Sequence, residues 1–100
     1  MATLSMNIPY KLSQDEALQR IQQMLNKLQQ EQKDKISNVK ETWHNEMGNF
    51  EFTSMGFDIA GNIKVKPGNV VIDAKVPFAV SLFKGKIKEM ISKKAAELLS

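Results

Sequence analysis

Cysteine is absent from the 100 residues. That removes disulfides, thiolate nucleophiles and thiolate metal ligands together, and it suits a reducing compartment, with the cytoplasm as the default expectation. Histidine occurs once, as His44, so no HxH or HExxH pair exists. A metal site would rest on one imidazole plus carboxylates, and no metal is expected. Arginine also occurs once, as Arg20, and the few aromatics fall mostly at apolar-face positions. Specific nucleic-acid recognition, which wants a basic patch interleaved with exposed aromatics, is therefore not expected. No window reaches the roughly 18 apolar residues of a membrane span. MATLSMNIPYKLSQDEALQR lacks the apolar core of a signal peptide, so a soluble, non-exported chain is expected. The glycines at 48, 56, 61, 68 and 85 are scattered over turns, strands and a helix start, and no GxSxG elbow is present. Neither a nucleotide cofactor nor a catalytic residue is indicated.

What is present suits a small globular protein. A chain of 100 residues builds one core, so residues 1–100 are read as a single domain. With 42% hydrophobic and 25% charged residues it is too apolar to be disordered throughout. Its charge is uneven: residues 1–60 carry 6 basic and 8 acidic side chains, residues 61–100 carry 8 lysines against 3 acids. Such asymmetry suits either an anionic partner or a solvated lysine face.

Leu4, Met6 and Ile8 alternate with Thr3, Ser5 and Asn7, the period of a strand with one buried face, and Pro9 limits it to an edge or an end. SQDE follows, where Ser13 can accept from the Glu16 backbone N–H while the Glu16 carboxylate reaches back, a capping box that starts a helix. Ala17, Leu18, Ile21, Met24, Leu25 and Leu28 form its apolar stripe. QQEQKDK then has nothing to pack. Val39, Glu41 and Trp43 predict a second strand, with Gly48-Asn49 as its hairpin turn; Phe50, Phe52 and Ser54 predict a third, breaking at Met55-Gly56. Phe57, Ile59, Gly61, Ile63 and Val65 mark the apolar face of a fourth. KPGN places Pro67 and Gly68 at the centre of a turn, and Val70, Ile72, Ala74 and Val76 face the core from a fifth strand. The order β-α-β-β-β-β-α predicts an α+β, two-layer fold: an antiparallel β-meander sheet with two amphipathic helices on one face.

In VPFAVSLFKGKIKEMISKKAAELLS, a count of about 100° per residue gathers Phe83, Ile87, Met90, Ile91 and Leu98 into one stripe facing the sheet. Lys84, Lys86, Lys88 and Lys93 lie beside or opposite it, their stems along apolar surface and their ammonium groups wet. Lys94 falls in the middle of the stripe, where unpaired burial of its charge is expensive. Either it extends past the sheet edge to solvent, or the helix covers a partly open cavity with Lys94 holding an anionic head group at its mouth. Asp58 and Asp73 share polar strand faces with Lys64, Lys66 and Lys75, which cross-strand pairing explains. His44, beside Trp43, reads as the exposed partner of a half-buried strand.

LFKGKI (residues 82–87), preceded by VPF and followed by a charged helix ending in ELL, resembles the C-terminal signature of the small polyhydroxyalkanoic acid system proteins. PYKLSQDEA is similar to that family's Pro-His-Ser-Leu-Ser opening, with Tyr10 in place of the histidine, and SMGFDIAGNIKV to its Ser-Gly-x-x-Gly strand pair. The three blocks stand in the family's order over nearly the whole chain; residues 29–49 depart from it. The resemblance implies proteins encoded with polyhydroxyalkanoate synthesis or use, some at the surface of storage granules, and brings no established catalytic residues. Phe83, Lys84, Gly85, Lys86 and Ile87 carry over as the matched signature, with Phe83 and Ile87 expected to anchor the helix, Gly85 to permit close approach to a neighbouring backbone, and Lys84 and Lys86 to stay wet.

Three functions follow. The first is a non-enzymatic accessory protein of polyhydroxyalkanoate metabolism, binding a granule surface or an acyl ligand through the layer of sheet and C-terminal helix, with Phe83, Lys84, Lys86 and Lys94 as contact residues. The second is an anionic-surface module, for nucleic acid or acidic lipid, working through the C-terminal lysines. The third is a small enzyme on acyl esters or thioesters with His44 or Asp73 as acid or base. A homodimer through an open sheet edge is compatible with each.

Overall fold

The structure, a computed structural model, describes residues 2–54 and 56–100. Its elements run β1 (Ala2–Pro9), α1 (Gln14–Ile21), α2 (Met24–Glu31), β2 (Ser37–His44), β3 (Met47–Ser54), β4 (Phe57–Lys66), β5 (Asn69–Val76), a 3-10 helix (Phe78–Phe83) and α3 (Lys84–Leu99). The α+β order β-α-β-β-β-β-α is as expected, with the first helical stretch divided in two. Four consecutive strands form a meander, and β1 closes it antiparallel to β5, giving the sheet order β1-β5-β4-β3-β2.

Alternation decides the faces. Leu4, Met6 and Ile8 of β1, Phe50 and Phe52 of β3, Ile59, Ile63 and Val65 of β4, and Val70, Ile72, Ala74 and Val76 of β5 are buried on one side. Residues between them form an open, mostly polar face. Three helices cover the apolar side through Ala17, Ile21, Met24, Leu25, Leu28, Ile87, Ile91, Ala95 and Leu99, in one continuous core. Ile36, just before β2, is buried too, so the polar segment after Leu28 is pinned at its far end.

Several local expectations are corrected. The first helix is interrupted at Gln22-Gln23: the Gln23 N–H turns back to the Arg20 carbonyl at 3.2 Å, and helix resumes with Lys27 N–H on the Gln23 carbonyl at 3.0 Å. Ile21, Met24 and Leu25, on both sides of the interruption, are thereby all buried. Ser13 caps α1 as expected, its Oγ accepting from Glu16 N–H at 3.2 Å. The Glu16 carboxylate does not reach back, because Arg20 one turn on takes it at 2.7 Å. The β2–β3 hairpin turns at Asn45-Glu46, with Asn45 at φ 57°, not at Gly48-Asn49. Asparagine tolerates that left-handed backbone. Gly48 instead lies opposite Trp43 inside the ladder, where a Cβ would meet the indole at 2.7 Å. Gly61 is tighter: a Cβ would stand 2.1 Å from the Asp73 carbonyl oxygen and 2.8 Å from the Phe50 ring. Pro67-Gly68 turns as expected, Gly68 having φ 85°. At the β3–β4 break, Met55 lies outside the described residues, and Gly56 takes φ 82°.

Candidate functional site

In α3 the buried positions are Ile87, Ile91, Ala95 and Leu99, one every four residues, with Met90, Lys94 and Leu98 half-buried beside them. Ile87 therefore anchors the helix as expected. Phe83 does not: it ends the 3-10 helix before the first α turn and is 44% exposed. Counting it at the helical angle failed because the chain ahead of Lys84 is not α-helical. Gly85 makes no close approach, since nothing lies within 4 Å of a Cβ built there.

The segment ahead of α3 has no period of its own and carries the most exposed apolar residues described. Phe78 is 72% and Leu82 is 90% exposed, and with Phe83 they form an apolar stretch that joins the exposed Lys84, Lys86 and Lys88. Its sequence, FAVSLF, has neither strand alternation nor a helical stripe, and that lack of a period was its only signal. Because β4 and β5 are antiparallel with Ala60 opposite Lys75, the start of β4 and the end of β5 lie at the same end of the sheet. Exposed Phe57 thus shares that end with Phe78.

A cleft of about 310 Å³ follows the seam between α2 and α3, with Leu28, Ile87 and Met90 in its lining and Glu31, Lys86 and Lys94 among its polar groups. Lys94, only 13% exposed at its side chain, neither reaches past the sheet edge nor points a free charge at a ligand. Its ammonium lies 2.6 Å from Glu31 and 3.0 Å from Glu97. Hydrogen bonds from Glu31 first and Glu97 second raise its pKa above the ordinary 10.5, against the opposing effect of burial. Lys94 so ties α2 to α3. Lys84 and Lys86 are exposed, as expected.

The acid–base candidates are not brought together. His44 is exposed at the hairpin end of edge strand β2, opposite Met47. Asp73 is on β5, with β4 and β3 between them in the sheet, and accepts from Ser5 Oγ at 2.7 Å. Among the described residues no three His, Cys, Asp or Glu side chains gather as metal ligands, and no helix is long and apolar enough to cross a membrane.

No curated protein and no solved structure matches the chain. Residues 4–99, nearly its whole length, match the family of polyhydroxyalkanoic acid system proteins, the family whose three sequence blocks now sit on β1–α1, on β3–β4 and on the start of α3. The chain belongs to the polyhydroxyalkanoic acid system family, which links its role to polyhydroxyalkanoate metabolism or granules.

Proposed function

We propose that this chain is a non-enzymatic accessory protein that attaches to the hydrophobic surface of storage-polyester granules through Phe78, Leu82 and Phe83, with Lys84 and Lys86 at the rim of the contact. The observation that carries this reading is the exposure of those three apolar side chains in one short segment. Contiguous exposed apolar surface marks a binding region, and full burial of each such side chain is worth about 1.5–3 kcal/mol. The surface reading is favoured over an acyl chain held beneath α3, because Ile87, Ile91 and Ala95 already fill the layer between helix and sheet. Attachment through the preceding segment also leaves the apolar stripe of α3 on its core, so the helix does not have to undock.

Cosedimentation with amorphous polyhydroxybutyrate particles at low and high salt tests the reading. The expected result is pelleting that resists salt, and that is lost in a Phe78→Ser, Leu82→Ser, Phe83→Ser variant whose fold is intact by circular dichroism. Lys84→Gln with Lys86→Gln should weaken only the low-salt component. Pelleting that disappears with salt would replace this reading with lysine electrostatics, whose signature is steep salt dependence. A wild-type protein that stays in the supernatant at both salts, or a triple serine variant that pellets undiminished, would overturn it.

A further inference from the structure

Both edges of the sheet are open, and they are built differently. On β2 the ladder is irregular between Ser37 and Lys40, Asn38 sits at φ 54°, and Lys40 and Glu41 carry charge. Bulges and charges of this kind are how natural edges discourage pairing. β1 has none of them: eight residues, ATLSMNIP, pair in unbroken register with β5 and carry no charge. Only Pro9, at its end, interrupts the row of donors.

The register shows which groups the free edge presents. Tyr10 N–H donates to the Gly68 carbonyl at 3.0 Å, continuing the pairing of Ile8 with Val70 and Pro9 with Asn69. Inward and outward backbone groups alternate along an antiparallel strand. Leu4, Met6 and Ile8 therefore bond to β5, while Thr3, Ser5 and Asn7 turn their N–H and C=O groups outward. The side chains of Ser5 and Asn7 bond back to Asp73 and Asn69 of β5 on the open face, leaving the edge unobstructed by them.

We infer that β1 is a self-pairing edge, and that its occupant is a second copy of this chain, joined about a two-fold axis at Ser5 into one continuous antiparallel sheet. A two-fold there sets Ser5 against Ser5, Thr3 against Asn7 and Leu4 against Met6. Every outward backbone group of the three central residues finds a partner, and the apolar side of one sheet continues into that of the other. Shifting the register by one residue would put Leu4, Met6 and Ile8 on the wrong face, so parity selects this family of pairings. With no charge on β1, a copy meets no like charge across the edge. α3 packs on β1, with α1 and α2 on its other side, so the two copies of α3 come to lie side by side. Lys88, Ser92 and Ala96, spaced by four, stand on the α3 side away from the Lys94–Glu31 seam. Serine and alanine there let two helices approach.

Sedimentation equilibrium of the full chain tests this. The expected mass is twice the 11.3 kDa of one chain. Ser5→Pro removes an outward N–H and the exposed Ser5 hydroxyl bond to Asp73 but none of the backbone bonds to β5, and should halve the mass while the circular dichroism spectrum is kept. Ser5→Lys, which sets two ammonium groups against each other at the two-fold, should halve it as well and decides the matter where proline disturbs β1. Thr42→Lys on the opposite edge should leave the dimer mass unchanged. A wild-type protein monomeric at several hundred micromolar, a mass that survives both Ser5 substitutions, or a mass halved by Thr42→Lys would overturn the inference.

Discussion

At the end of the sheet where Pro67-Gly68 turns β4 into β5, polar groups hold the backbone in place: the Tyr10 hydroxyl donates to the Lys66 carbonyl, Tyr10 N–H to Gly68, and the Gln14 amide to Val65 at 2.9 Å. At the other end, where β5 leads into the 3-10 helix, Phe57, Phe78, Leu82 and Phe83 stand in solvent instead. One end is fastened by side-chain bonds to strand carbonyls, whereas the other, beside the Asn38–Thr53–Asp58 side-chain bonds, carries exposed apolar surface. α3 spans the difference. Its last turn is tied by Arg20, which donates to the carbonyls of Leu98 at 3.0 Å and Ser100 at 3.1 Å. Its first turn follows directly from the exposed apolar segment. The lesson is that hydrophobicity alone does not place a side chain: Phe83 and Ile87 are four residues apart in one signature, and only Ile87 is in the core.

The largest effect should separate those two kinds of apolar residue. Ile91→Ala removes a fully buried side chain and should destabilise the fold by about 2–5 kcal/mol in urea unfolding. Leu82→Ser should change it by no more than about 0.5 kcal/mol, as exposed substitutions usually do. Equal losses would mean that the Phe78–Phe83 segment packs in solution, and would erase the contrast between the two ends.

Next come the two glycines that sequence alone treats alike. Gly61→Ala drives a Cβ into the Asp73 carbonyl and the Phe50 ring and should cost about 1–3 kcal/mol, as overpacking does. Gly85→Ala, in open space in the first turn of α3, should stabilise by up to about 1 kcal/mol through helix propensity. Opposite signs in thermal melts are the expected outcome, and a destabilised Gly85→Ala variant would restore a close neighbour at that position.

At the fastened end, Tyr10→Phe leaves the Lys66 carbonyl without its hydroxyl donor and should cost about 0.5–1.5 kcal/mol. Unfolding in urea measures it, and no loss would show that the hydroxyl bond contributes nothing net.

The smallest effect concerns the α2–α3 seam. Lys94 has its pKa raised in the folded chain by Glu31 and Glu97, so its pairing stabilises fully below the unfolded value of 10.5 and is lost as pH rises through the folded one. Lys94→Gln should melt below the wild type at neutral pH, and the gap should close in strongly alkaline buffer. A gap that stays constant above pH 10.5 would assign the difference to lost stem packing, not to charge.

Much of the fold was legible because its signals are local. Period-two alternation in Leu4-Met6-Ile8 and Val70-Ile72-Ala74-Val76 identified the buried faces, and Pro67-Gly68 identified a turn, since each depends only on neighbouring residues. The misreadings share a cause. Gly48-Asn49 looked like a turn because nothing local says that Trp43 will lie over Gly48, and Gly85 looked like a packing glycine because nothing local says that its surroundings are empty. The candidate contact surface is half legible: the pattern marks Lys84 and Lys86 as wet, but nothing local marks Phe78 and Leu82 as surface, and a helical count places Phe83 on the core face.

The sequence by itself determined the order β-α-β-β-β-β-α, the face each strand turns to the core, and the basic character of the C-terminal helix, because these follow from spacing along the chain. Tertiary structure decided that β1 pairs with β5, that Lys94 is held by Glu31 from 63 residues away, and that Phe78, Leu82 and Phe83 lie outside the core. Those outcomes depend on which distant segments compete for the same partner or the same volume: the apolar layer over the sheet was already filled by Ile87, Ile91, Ala95 and Leu99, and Phe78, Leu82 and Phe83 ahead of them were left in water.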